Sequence, residues 1–192
     1  MFNAIIAGVG GQGSLLASRV LGTVFLSQGY DVKVSEVHGM SQRGGSVVTY
    51  VRAGEKVASP LVCEGECDLL LAFEELEALR YMHFLKKGGL LAASTQKILP
   101  MPVITGAAVY PADIAEQIEK SGVVSLMVDA VALATQAGVV RASNVALMGA
   151  ASAKLDIPEE IWLDALKANV PARFAEQNLN AFALGRAAGF NV

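Results

Sequence analysis

Apolar residues follow two rhythms along this chain. Ala4-Ile-Ile-Ala7, Asp68-Leu-Leu-Leu-Ala-Phe73 and Leu90-Leu-Ala-Ala-Ser94 are near-continuous apolar runs, as expected of central parallel strands covered on both faces. Asp31 to Val37 reads as another strand, and Val47 to Arg52 alternates like one. Ala53-Gly54-Glu55-Lys56 then reads as a hairpin turn into Val57–Val62, and Ala107–Tyr110 as a short strand. Between these lie helical stretches. Ser14–Gln28 is apolar on nearly every face and closes at Gly29. Glu74–Leu85 has Glu74, Glu75 and Glu77 at its positive end, Lys86 and Lys87 at its negative end, and Gly88-Gly89 as its stop.

The later chain is predicted to be helical. The segments are Asp113–Lys120, then Val128 to Ala137, then Ser143–Lys154 with Ser143 or Asn144 as N-cap. A capping box, Asp156-Ile-Pro-Glu159, opens Pro158–Asn169, and Pro171 starts a last helix carrying Phe174, Leu179 and Phe182. Trp162 belongs to that apolar packing. With no repeat, linker or low-complexity tract, residues 1–192 read as one α/β domain. The expected fold is Rossmann-like: a mostly parallel central sheet, a β-hairpin insertion and a helical C-terminal part.

Composition narrows the function. Apolar residues make up 53% and charged residues 17%, so a partner should cover some of the surface, and the isolated chain should self-associate. A net charge of −3 with no basic cluster argues against nucleic acid. The best membrane candidate, Val123 to Val140, is broken by Asp129, Gln136 and Gly138. No basic region precedes the first apolar run, so the expected location is the cytoplasm.

Gly8-x-Gly10-x-x-Gly13, with Gly11 and Gln12 between, follows an apolar strand and opens an apolar helix. In that context the spacing suits a diphosphate, whose oxygens would meet the backbone amides of residues 10 to 14. A tight strand-to-helix turn that binds nothing is the competing account. Glu36 stands about where an acidic residue meets the ribose hydroxyls of a dinucleotide, or where it would pair with Arg43. Arg43-Gly44-Gly45 gives a forked cation beside backbone that a ligand can approach; a plain strand entry with a surface arginine is the alternative. His38 adjoins this loop as a candidate general acid or base, whereas His83 reads as solvent-facing. Cys63 and Cys67, with the two histidines, match no zinc spacing and cannot supply a cluster's four thiolates. Reduced structural thiols are the simpler reading.

Three segments together resemble a known family: Gly8-Val-Gly-Gly-Gln-Gly13; Ser35-Glu-Val-His-Gly-Met-Ser-Gln-Arg-Gly-Gly-Ser46 with Tyr50-Val-Arg52; and Asn178-Leu-Asn-Ala-Phe-Ala-Leu-Gly185. They are similar to the gamma-type domain of 2-oxoacid:ferredoxin oxidoreductases, and the loop before Arg43 resembles the indolepyruvate branch. The resemblance implies an accessory subunit in the oxidative decarboxylation of aryl pyruvates to aryl-acetyl-CoA, with electrons passed to ferredoxin. It also implies a large alpha subunit holding thiamine diphosphate, its magnesium ion and the iron-sulfur clusters. This chain lacks both the cysteines and the Gly-Asp-Gly segment for those groups. Its expected contribution is a glycine turn, helped by Arg43, that contacts coenzyme A or the cofactor edge across a hetero-oligomeric interface. A purely structural turn remains the alternative.

Overall fold

The protein is described as a computed structural model covering residues 1–38 and 44–191. The first strand, β1 (Phe2–Val9), runs into α1 (Ser14–Leu26). Two strands follow, β2 (Asp31–His38) and β3 (Ser46–Gly54), then β4 (Cys67–Ala72), α2 (Glu75–Tyr81) and β5 (Leu85–Ser94). Next come α3 (Met101–Ile104), α4 (Ile114–Ser121), β6 (Val124–Val128) and α5 (Ala130–Gln136). The chain finishes with α6 (Ser143–Ser152), α7 (Glu159–Asn169) and α8 (Ala175–Phe190).

The six strands form one sheet in the order β2-β3-β1-β4-β5-β6. β1, β4, β5 and β6 run parallel, while β3 is antiparallel to both β1 and β2. Period-two alternation explains the continuous apolar runs. Ala4, Ile6, Leu69 and Leu71 face the layer of α1, α5, α6, α7 and α8. Ile5, Ala7, Leu70 and Ala72 face α2 and α4. Each fully buried Ile or Leu contributes roughly 1.5–3 kcal/mol.

The helical layer owes its thickness to missing side chains. A Cβ on Gly185 would lie 1.9 Å from the Ala146 carbonyl oxygen, and one on Gly149 2.1 Å from that of Phe182. The α6–α8 crossing is thus a contact of backbone on backbone. Trp162 and Phe182, both buried, meet beside it with ring centroids 6.1 Å apart.

Several sequence expectations are corrected. The hairpin is β2–β3, and Val57–Val62 forms no strand: Asp31 accepts from the Val57 N–H (2.8 Å), and the Arg52 guanidinium donates to the carbonyls of Ser59 and Leu61 (3.3 and 2.9 Å). Side chains there satisfy backbone groups that a strand would pair. Ala107–Tyr110 is not a strand either, because the place beside β5 is taken by β6, which lies between the expected helices Asp113–Lys120 and Val128–Ala137, where the sequence pattern predicts no strand. Gly88-Gly89 lies within β5; the helix stops at Tyr81, where Tyr81 and Phe84 pack 6.0 Å apart. The Asp156–Glu159 box forms no side-chain cap, since Pro158 is the N-cap of α7.

Candidate functional site

The chain leaves β1 toward β2 on one side, and leaves β4 toward β5 on the other. The carboxyl ends of β1 and β4 therefore flank a switch point, where open α/β sheets bind ligands. Here part of the crevice is taken up by the Gln12 side chain. The Gln12 Oε1 accepts from the Val9 N–H (2.7 Å), and its Nε2 donates to the Phe73 carbonyl and to Gln96 Oε1 (both 2.9 Å). Gly8 makes room for this plug: a Cβ there would sit 2.9 Å from Gln12 Oε1 and 3.2 Å from the Phe73 ring.

Gly13 is the left-handed N-cap of α1, with φ 88°. Its carbonyl accepts from Asn144 Nδ2 at 3.1 Å, and a Cβ on Gly13 would lie 2.3 Å from that nitrogen. Asn144 is thus not the N-cap of α6, which is Ala142. It is a buried clamp on the turn. Gly11, at φ 106°, has nothing within 4 Å of its Cβ position. The N–H groups of Gly11, Gly13 and Ser14 make no hydrogen bond among the described residues, and α1 has no side-chain cap. Unpaired donors at the positive end of a helix suit an anion.

The loop candidates meet this turn. Gly10 donates to the Gly45 carbonyl (2.9 Å), and Gly44 donates to that of Gly10 (3.4 Å), so the two glycine-rich segments form one unit. Arg43 lies outside the described residues. Glu36 is exposed on the edge strand, parallel to β1 but separated from it by β3. Its carboxylate accepts from Ser14 and Thr49 hydroxyls at 3.5 and 3.4 Å, which brings it to the rim of the turn. His38 ends β2 opposite Val47 at the same end of the sheet. His83 lies at the other end, 3.7 Å from Glu64. The two histidines and two cysteines are therefore not gathered. Cys63 is exposed; Cys67 is buried, burial pushing its thiol up to about 12, and it donates to the Leu69 carbonyl.

Sequence reasoning missed the carboxylates beyond β4, because a helix dipole accounts for them. Glu74, Glu75 and Glu77 are buried. Glu74 does cap α2, accepting from the Glu77 N–H (3.0 Å), and it also accepts from the Ile98 N–H (3.1 Å) and the Tyr110 hydroxyl (2.6 Å). Burial, and then the Glu74 contact, raise the Tyr110 hydroxyl's pKa. Glu77 accepts from Ser46 Oγ at 2.6 Å, with the Arg80 guanidinium at 3.4 Å. Burial nevertheless holds its carboxyl above the usual range. The signal was position: acids directly after a central apolar strand. Glu74 and Glu77 line a cleft of about 260 Å³, walled by Val9, Gly44–Ser46 and Pro100–Pro102. A larger cleft, of about 750 Å³, lies at the amino end of β1 and includes none of the predicted site residues.

Comparison with known proteins places this geometry. The sequence model described as "Pyruvate ferredoxin/flavodoxin oxidoreductase" matches residues 3–188. The chain belongs to the pyruvate ferredoxin/flavodoxin oxidoreductase family. It is 45% identical to the indolepyruvate oxidoreductase subunit IorB of Thermococcus kodakarensis, over 96% of this chain and 94% of that one. Its fold matches the keto/oxoacid ferredoxin oxidoreductase gamma subunit of Geobacter sulfurreducens with a TM-score of 0.74, at 22% identity and covering both chains fully. A TM-score of 0.74 also relates it, at 20% identity, to 31% of a chain of the 2-oxoglutarate:ferredoxin oxidoreductase of Magnetococcus marinus, a structure with 2-oxoglutarate, coenzyme A and succinyl-CoA bound. The oxidoreductase-family segments of this chain divide in two. Gly10, Gly44 and Gly45 lie at the turn, whereas Asn178, which donates to the Phe174 carbonyl, Phe182 and Gly185 build the helical layer.

Proposed function

We propose that this chain, as one domain spanning residues 1–192, is the small accessory subunit of a cytoplasmic indolepyruvate:ferredoxin oxidoreductase. The observation that carries the reading is the 45% identity to an indolepyruvate oxidoreductase subunit over nearly the whole of both chains. The enzyme oxidatively decarboxylates aryl pyruvates to aryl-acetyl-CoA and passes the electrons to ferredoxin. Thiamine diphosphate, its magnesium ion and the iron-sulfur clusters belong to the large subunit. The donor set here does not fit a cluster, with Cys67 buried as a thiol and Cys63 exposed.

The residues at the turn do fit a diphosphate such as that of coenzyme A, which supplies the thiol acceptor for the acyl group. Among the described residues, Gly11, Gly13 and Ser14 offer N–H donors without a partner, and the sequence supplies a forked cation, Arg43, next to Gly44. The Gln12 side chain is turned inward and serves the turn's shape.

The test is reconstitution with the cognate large subunit, followed by indolepyruvate- and coenzyme A-dependent reduction of a viologen dye. Activity should require both chains and favour aryl pyruvates over pyruvate and 2-oxoglutarate. Full activity of the large subunit alone would overturn the reading. Arg43→Ala should raise the coenzyme A concentration needed by about tenfold to 150-fold, the equivalent of a charge-assisted contact of roughly 1.5–3 kcal/mol.

A further inference from the structure

The glycine turn after β1 is braced from two flanks, and one brace ends in a buried acid. From the helical layer, Asn144 holds the Gly13 carbonyl. On the other flank the Gly10 N–H donates to the Gly45 carbonyl (2.9 Å), and the next residue, Ser46, donates its hydroxyl to Glu77 Oε2 at 2.6 Å. Glu77 lies on α2, 31 positions along the chain from Ser46, and is 4% exposed. A continuous line of contacts therefore runs from α2 through Glu77, Ser46 and Gly45 to Gly10. It ends just ahead of Gly11, Gly13 and Ser14, whose N–H groups make no hydrogen bond among the described residues.

Nothing in α2 itself calls for a buried carboxylate at this position. The N-cap is Glu74, whose Oε2 already accepts from the Glu77 N–H, and a buried acid costs free energy that an apolar side chain of similar size would not. Burial holds the Glu77 carboxyl above its usual range despite the Ser46 and Arg80 contacts, a departure that accompanies functional sites when it occurs beside a cleft. The two acids that line this cleft divide the work. Glu74 Oε1 accepts from the Ile98 N–H (3.1 Å) and the Tyr110 hydroxyl (2.6 Å), which fastens the loop after β5. Glu77 fastens the glycine side, where Gly44, Gly45 and Ser46 form the wall.

We infer that Glu77 and Ser46 are positioning residues for an anion at the glycine turn. Their hydrogen bond fixes Gly44 and Gly45, and through the Gly45 carbonyl it sets the place of Gly10 and of the N–H donors that follow. The anion is the diphosphate of coenzyme A, so the inference rests on the reading of the chain as an accessory subunit whose turn meets that group. Both side chains act through the backbone. Hydrogen bonds weaken steeply as their donors turn out of line, so loosening the tether weakens coenzyme A binding and leaves the handling of the keto acid alone.

The test pairs the full chain alone with the chain reconstituted with its large subunit. In the isolated chain, Ser46→Ala should speed hydrogen exchange of the Gly10 amide by about threefold to tenfold. Glu77→Gln keeps an oxygen that accepts from Ser46 and should exchange like the wild type. In the reconstituted enzyme, Ser46→Ala and Glu77→Ala should each raise the KM for coenzyme A by about threefold to tenfold, with kcat and the KM for indolepyruvate unchanged. The double variant should go no further than either single one, and Glu77→Gln should restore the wild-type value. Equilibrium dialysis of labelled coenzyme A against the complex, without keto acid, should rank the variants in the same order. A wild-type KM for coenzyme A in Ser46→Ala would overturn the inference, and this variant decides alone if Glu77→Ala does not fold. A loss spread evenly over kcat and both KM values would overturn it too, because the contact would then be merely structural. No coenzyme A-dependent turnover by the wild-type mixture would instead bring down the subunit reading, and the inference with it.

Discussion

The glycine turn after β1 and the apolar loop after β5 leave the same end of the sheet, yet they are built on opposite plans. The turn carries a sequence that suggests a ligand and is partly occupied by its own chain: Gln12 takes up part of the crevice, Asn144 clamps Gly13, and Gly45 holds Gly10. The loop carries no recognisable motif and leaves its apolar side chains in solvent. Glycines can therefore register internal close approach as readily as ligand approach.

The sharpest test of that contrast is within the turn itself. Gly13→Ala combines a left-handed backbone with a Cβ 2.3 Å from Asn144, and should cost about 2–4 kcal/mol. Gly11→Ala has the backbone term alone and should cost about 1 kcal/mol. Chemical denaturation of both variants measures the gap, and equal losses would mean that Asn144 does not clamp the turn. Next in size, Gln12→Ala removes one acceptor and two donor contacts and should cost roughly 2 kcal/mol. A negligible loss would mean that this side chain does not hold the turn in place.

Glu77 provides a pH-dependent test at the junction of the two regions. Its folded carboxyl is raised above the ordinary 4.5 by burial, against the opposing Ser46 and Arg80 contacts. The folded state therefore holds the proton more tightly than the unfolded chain. Its stabilisation is full below about pH 4.5 and is lost as pH rises through the raised value. In Glu77→Gln this component should vanish, so the variant gains on the wild type between those limits and the gap then levels off. Parallel stability–pH curves would contradict it. The smallest effect belongs to the loop: Ile104→Asp, at a 62% exposed position, should change unfolding free energy by less than about 0.5 kcal/mol. A larger loss would mean that the side chain is packed in the isolated chain.

Much of the architecture was legible because its signals are local. Apolar runs bounded by glycine and charge marked β1, β4 and β5, and the turn's position between strand and helix was evident in Gly8–Gly13. What failed depended on distant partners. The Val57–Val62 segment has strand-like residues, but Arg52 and Asp31 bind its backbone. Asn144 has the chemistry of an N-cap, and nothing nearby discloses that Gly13 approaches it across 131 positions. Nothing near Gln12 discloses that its side-chain amide donates to Phe73 and Gln96, far along the chain. Glu74, Glu75 and Glu77 fit a helix dipole so well that their burial was invisible. Arg43, with residues 39–42, falls outside the described residues.

The chain contains a single tryptophan, Trp162, 1% exposed on α7, whose indole N–H has no hydrogen-bond partner among the described residues. An excited indole shifts its emission to the red only when polar neighbours can reorient around it, so this one should emit at the blue edge. Its light reports the helical layer around Phe182, remote from the carboxyl end of the sheet. Unfolding should therefore be followed from native fluorescence with one clean signal. Binding at that end should leave the emission unchanged.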